Sequence, residues 1–395
     1  MPMTALDLTR HFSRFRAAAP DRINLAAHSH HDWPDVTFAA QAAAWQDAAG
    51  LAGDKWGKVF GEVIPAVQAH LARALALPDP RTIAVAPNTH EFLRRLLSCF
   101  PAGKPVRILT SDAEFHTARR QMARLEEDGL VTVERIATEP FATFAERFGA
   151  RIASGAHDLV FVSQVFFTSG ATSGDLGALA GCRHSGDTLI VIDGYHGFMA
   201  RPTDLAAIAD RVFYLAGGYK YAMAGEGACF LHCPPGLAPR PRDTGWFADF
   251  GALAAPAGKS VGYPADGGRF LGATFDPSGL YRLRAVFDWL AAAGVTAATA
   301  HDHARSLMAR FLDAVEAMNI AGLRRDDLLT PFGPQAEHGN FLAFRTERAG
   351  EIETRLAAVG VHSDHRGDRL RFGFGLCCNA DDVDRAVERL ARALR

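Results

Sequence analysis

Between residues 83 and 233, short apolar runs rich in β-branched side chains alternate with longer stretches of helical periodicity. The runs are Ile83–Val85, Val106–Thr110, Leu159–Val162, Thr188–Ile192 and Val212–Leu215. Strands that return in the same direction need a crossover, usually a helix. The alternation therefore predicts an α/β chain with a mostly parallel, doubly wound sheet covered by helices on both faces. In such sheets ligands sit outside the carboxyl ends of the strands, so the residues after each run are the candidates for chemistry.

Two of those ends carry a charge. The run Thr188–Ile192 delivers Asp193, followed by Gly194-Tyr195-His196. After Val212–Leu215, the small residues Ala216-Gly217-Gly218 let the backbone turn closely against something bulky and lead to Tyr219-Lys220-Tyr221 and Gly225-Glu226-Gly227. Alone, Lys220 reads equally well as a solvated lysine in a surface loop. Beside Asp193 it forms the pair that pyridoxal 5'-phosphate requires. The amine bonds the aldehyde carbon of the cofactor, and the carboxylate keeps the ring nitrogen protonated so that the ring accepts electrons.

These segments resemble the kynureninase branch of the fold-type I, class V aminotransferase-like pyridoxal phosphate enzymes, over a span from Ile23 to the C-terminus. The resemblance implies a large cofactor-binding domain (37–268), preceded by an N-terminal segment (1–36) and followed by a smaller C-terminal α+β domain (269–395). Lys220 would hold the cofactor and then move the substrate α-proton. Asp193 would keep the ring nitrogen charged, His196 would bond near the phenolic oxygen or the phosphate, and Tyr219 would bond the phosphate.

Asn88 and Thr89, ahead of the helical stretch Glu91–Leu97, are ordinary N-caps, yet a helix start also offers amides and a hydroxyl to a phosphate. The resemblance makes Thr89, with Asn88 and His90 beside it, the phosphate cradle. It makes Phe115 the ring that stacks on the cofactor, although core packing accounts for a single Phe as well. Trp246 and Thr274 match positions that reach the phosphate of a neighbouring subunit, which implies a homodimer with shared active sites.

Arg371 lies in the apolar stretch Leu370–Phe374 and needs an anionic partner. Asp364 or Asp368 would serve as a salt bridge, whereas the resemblance assigns Arg371 to the substrate α-carboxylate. The segment carrying His28, His30 and His31 matches one that lines the substrate pocket, with His28 and His31 the candidates. A metal reading of these histidines is weak, since neighbours on an extended segment point to opposite faces and no further ligand cluster follows. Two departures from the family stand out: Phe166-Phe167 where polar side chains are usual, and Met223 where kynureninases commonly carry Asn.

Composition narrows the partners. Across 395 residues, 42 basic residues against 44 acidic ones argue against a nucleic-acid ligand. Six scattered cysteines lack zinc-site spacing, and no apolar run approaches the roughly 18 residues of a membrane span. The expectation is a cytoplasmic enzyme without metal, nucleic acid or membrane partner, acting on a small amino acid by kynureninase-like hydrolytic Cβ–Cγ cleavage. The alternatives are a class V aminotransferase or another lyase of the fold, and, from another class, a non-catalytic cofactor-binding protein. A cysteine desulfurase ranks lower, because those enzymes need a mobile nucleophilic cysteine ahead of the carboxylate arginine and residues 300–370 contain none.

Overall fold

The computed structural model describes residues 6–182, 186–252, 260–320, 322–333 and 336–394, so part of the Pro/Gly-rich stretch 234–268 lies outside the described residues. The chain opens with α1 (Ser13–Ala18), β1 (Ile23–Asn24), α2 (Val36–Leu51), α3 (Lys55–Lys58) and α4 (Ile64–Ala74). The alternating core follows: β2 (Ile83–Ala86), α5 (Thr89–Leu97), β3 (Val106–Ser111), α6 (His116–Glu127), β4 (Val131–Ile136), α7 (Phe144–Ala153), β5 (Leu159–Ser163), α8 (Leu176–Gly181), β6 (Leu189–Asp193), β7 (Val212–Gly217) and β8 (Cys229–His232). The C-terminal part comprises α9 (Ser278–Ala292), α10 (Ala297–Ala317), β9 (Phe341–Arg345), α11 (Ala349–Ala358), β10 (Val361–His362), β11 (Asp364–Arg366), β12 (Arg369–Gly373) and α12 (Ala380–Leu394).

The central sheet runs β2-β8-β7-β6-β5-β3-β4. Its β3, β4, β5, β6 and β7 pair in parallel, while β8 is antiparallel to both β7 and β2. Strands β5 and β7 are buried along their whole length, which is why each reads as a continuous apolar run rather than an alternating one. All the parallel strands end on one edge, and this brings Ser163, Asp193 and Leu215 side by side, with Gly217 two residues further on.

The smaller sheet is β11-β12-β9, antiparallel throughout. Strand β1 pairs in parallel with β10, so the N-terminal segment is stitched to the C-terminal unit. Helix α9 packs against α2 and α4, on the flank of the large sheet. Helix α10 starts at Ala297 because Thr296 caps it and Thr299 closes a reciprocal capping box. The segment 26–30, expected to be extended, instead turns back on itself through Ser29 N and His30 N, which both donate to the Ala26 carbonyl. His28 and His31 are therefore both buried while His30 stays in solvent, and alternation does not apply to them.

Candidate active site

The loop after β7 is held from several sides. A Cβ at Gly217 would lie 2.3 Å from the Tyr195 hydroxyl, so only glycine permits this approach. Gly225, at φ +69°, sits against the Trp33 ring in the left-handed region that glycine favours. Arg282 of α9 donates from Nε to the Ala224 carbonyl at 2.8 Å and from Nη2 to the Glu226 carbonyl at 2.5 Å, with its guanidinium 5.0 Å from the centre of the Trp33 ring. The lysine is thus mounted in a braced loop.

Lys220 itself is 4% exposed, and its amine has no hydrogen-bond or ion-pair partner among the described residues. It lies 4.6 Å from the centre of the Tyr195 ring, 5.4 Å from Phe115 and 5.6 Å from Tyr219. Burial lowers its pKa to about 7 against the opposing pull of Asp193, which favours the neutral, nucleophilic amine. Asp193 accepts the Tyr195 amide at Oδ1 over 2.9 Å, and burial raises its pKa.

A cavity of about 410 Å³ opens between these groups, lined by Asn88, Thr89, His90, Phe115, Ser163, Phe167, Asp193, Tyr195, His196, Tyr219, Lys220 and Cys229 among others. At one side α5 presents its N-terminus, with Asn88 accepting the Glu91 amide at 3.0 Å as N-cap. The residues fit pyridoxal phosphate. Among the described residues, the Nδ1 atoms of His90 and His196 are buried without a partner, the Lys220 amine is unpaired and Asp193 Oδ2 makes no hydrogen bond, and a helix start faces the cavity.

Arg371 is 2% exposed and lies beside this cavity, its guanidinium 5.8 Å from the centre of the Phe167 ring and 6.0 Å from that of Phe341. Asp364 takes its Nε–Nη2 edge at 2.8 and 2.5 Å, and the Phe167 carbonyl accepts from Nη1. The salt bridge to Asp364 is therefore present. It leaves an N–H on each of Nη1 and Nη2 without a partner among the described residues, enough for a second bidentate edge. His28 stands behind Asp364, bonded to it through Nε2 at 2.9 Å and stacked on Phe341, and burial lowers its pKa to about 4 despite Asp364. It supports the arginine from outside the cavity.

Other expected residues lie elsewhere. His31 is buried beside Phe12 and Tyr221, with Nδ1 on the Asp32 carbonyl, and does not line the cavity. Trp246 donates from Nε1 to Thr274 Oγ1 at 3.1 Å on an exposed face, and neither lines the cavity of its own chain. Tyr195, whose ring covers the lysine, is a further site residue, signalled in the sequence by its place at a strand end between Asp193 and His196. Glu114, a buried carboxyl in the loop after β3, carries no sequence signal, since Ser163, which bonds both of its oxygens, is distant in sequence. Among the described residues no group of three or more His, Cys, Asp or Glu side chains could hold a metal ion, and no helix is long and apolar enough to cross a membrane.

Comparison with known proteins places this geometry in context. The family model described as aminotransferase class-V matches residues 52–385. No curated protein matches the chain. Among solved structures, a lysine-to-alanine variant of C-DES with glycine covalently linked to its pyridoxal phosphate cofactor is similar at TM-score 0.79 and 16% identity, over 96% of this chain and 98% of that one. The cystine C–S lyase C-DES with its product cysteine persulfide is similar at TM-score 0.77 and 16% identity, over 95% and 98%. The cysteine desulfurase CsdA from Escherichia coli gives 0.75 and 19%, over 97% and 98%.

Proposed function

The chain belongs to the class-V aminotransferase family of fold-type I pyridoxal phosphate enzymes, and on that premise we propose that it hydrolyses the Cβ–Cγ bond of an α-amino acid with an aromatic acyl side chain, a kynureninase-like reaction. The observation that carries this reading is the aromatic layer next to Arg371. Phe167 meets Phe115 edge-on at 5.4 Å and His116 at 5.2 Å, and His196 lies 5.7 Å from Phe341. A flat ring fits such a layer, and the second edge of Arg371 takes the α-carboxylate.

Bound in the cavity, pyridoxal phosphate supplies an electron sink for the substrate α-carbon. Lys220 would remove the proton at the substrate Cα and return it. Asp193 would hold the ring-nitrogen proton, while Thr89, His90 and the α5 N-terminus would receive the phosphate with Tyr219. His196, whose pKa burial pushes well down, stays neutral and offers Nδ1 beside the ring. The same reading makes the enzyme a cytoplasmic homodimer whose Trp246 and Thr274 reach the partner's phosphate. Six free cysteines suit a reducing compartment.

A second reading, C–S bond cleavage in a sulfur amino acid, draws on the likeness to a cystine C–S lyase. A desulfurase draws less support. Cys229 lines the cavity, but burial pushes its thiol up to about 12, far from a ready nucleophile. The test is product analysis of the cofactor-loaded enzyme with kynurenine, 3-hydroxykynurenine and cystine. Hydrolysis consumes one water and releases alanine with an aromatic acid. Pyruvate with a persulfide would establish the lyase instead, and a 2-oxo acid with the carbon skeleton intact would establish an aminotransferase.

A further inference from the structure

Behind the cavity wall lies a second carboxyl that the mechanism above leaves unused. Glu114, the residue before Phe115, is 3% exposed and pairs with no cation among the described residues. Its Oε1 accepts from Ser111 Oγ at 2.6 Å and from the Ser163 amide at 3.2 Å, and its Oε2 accepts from the Ser163 hydroxyl at 2.5 Å. Ser163 closes β5, lines the cavity and is the register partner of Asp193 on β6. Register partners on parallel strands send their side chains to the same face, so Ser163, bonded to Glu114, shares its face with Asp193, and among the described residues no side-chain hydrogen bond joins Ser163 to Asp193. A buried carboxylate without a counter-cation is costly, and a neutral amide would fill the same space.

We propose that Glu114 is a positioning residue for the cofactor: through Ser163 it sets how strongly Asp193 holds the proton of the cofactor's ring nitrogen. The inference rests on the reading of Asp193 given above. An ionised Glu114 only accepts, so the Ser163 hydroxyl donates back to it. A protonated Glu114 donates to Ser163 Oγ and turns the hydroxyl hydrogen toward Asp193. The turned hydroxyl dipole stabilises the Asp193 carboxylate on the same face and weakens its grip on the ring proton. One proton, taken from solvent by Glu114, accounts for the exchange.

Asp193 on β6 is the charge facing Glu114 across Ser163, and Lys220, beyond β7, faces Asp193 in turn. Burial, with the Asp193 charge adding to it and the serine hydroxyls opposing, pushes Glu114 up to about 7. The exchange therefore falls near neutral pH.

The test uses Glu114→Gln and Ser163→Ala. In the cofactor-loaded parent, the visible absorbance should shift with a single midpoint near neutral pH, and both variants should keep the band but lose that shift. A parental midpoint in Glu114→Gln overturns the proposal. A second readout needs no cofactor. A folded carboxyl with a raised pKa keeps its proton after the unfolded chain has lost it, so its contribution to stability is present below the ordinary carboxylate range and lost as pH rises to about 7. His28, lowered to about 4, titrates in the opposite sense but does so in parent and variant alike. The melting temperature of the apoprotein relative to Glu114→Gln should therefore fall across that window, and a constant difference overturns the proposal. If the band instead survives Lys220→Ala, it is the cofactor assignment that fails, and the apoprotein measurement still judges Glu114.

Discussion

Replacing Asp364 with Asn should cost far more than its single charge suggests, because the arginine left behind is 2% exposed. Asparagine keeps the shape and one acceptor but not the charge facing the Nε–Nη2 edge of Arg371. With charge centres about 4 Å apart and an effective dielectric near 20, the lost attraction is about 4 kcal/mol, in line with the roughly 3–5 kcal/mol seen when one partner of a buried pair is removed. Melting entropy of about 2.1 cal/mol/K per residue over 395 residues gives roughly 0.8 kcal/mol/K, so cooperative unfolding should show a fall in Tm of about 4–6 °C. Scanning calorimetry on the apoprotein measures it, with Asp384→Asn as control. That variant breaks the Arg310–Asp384 pair, whose side chains are 49% and 42% exposed, and should cost at most about 1 kcal/mol. Acid supplies a further check. Burial works against the Asp364 charge, but His28 and Arg371 together hold its carboxyl far below the usual range. Its contribution is thus present above the unfolded value, near pH 4, and lost as pH falls below it, so the gap between parent and variant should narrow only there. Equal Tm losses in the two variants would refute the argument.

Three further outcomes are expected. Lys220→Ala should abolish the visible band of lysine-bound cofactor, and an unchanged spectrum would remove Lys220 from that role. The rate at which apoprotein bonds added pyridoxal phosphate should rise with pH and level off just above the Lys220 value of about 7, since only the neutral amine attacks; a rate still climbing toward the ordinary lysine range in stopped-flow traces would contradict the burial argument. Thr274→Ala should weaken cofactor affinity by roughly 1.5–3 kcal/mol, the range for a hydrogen bond to a charged group. In dimers mixed from Thr274→Ala and Lys220→Ala protomers, the site with Lys220 takes its Thr274 from the other chain and should bind normally. Affinity no better than that of the Thr274→Ala homodimer would show that Thr274 acts within its own chain.

Asp193 and Lys220 were legible because a buried parallel strand leaves an apolar run in the sequence, and a charge at its end stands out. The need of Arg371 for an anion was legible from its apolar strand, but the choice between Asp364 and Asp368 was not: it is made by the hairpin that sets Asp364 opposite Arg371 in register. Such local rules do not reach further. Glu114 meets Ser163 only after β3 and β5 become neighbours, and nothing near residue 114 announces that pairing. The turn at 26–30 also eluded the pattern, since its backbone bonds, not side-chain alternation, decide where His28 and His31 point.

The pairing of β1 with β10 also sets an order of assembly. Val361, the register partner of Ile23, is synthesised about 340 residues later, and at about 5–20 residues per second Ile23 waits roughly 20–70 s for it. Throughout that time the backbone groups of Ile23 and Asn24 have no strand to pair with, while the central sheet between them has already left the ribosome. Arg371 and Asp364 emerge later still, so the lysine loop and the helix start of the cofactor cavity are finished well before the residues proposed to hold a substrate.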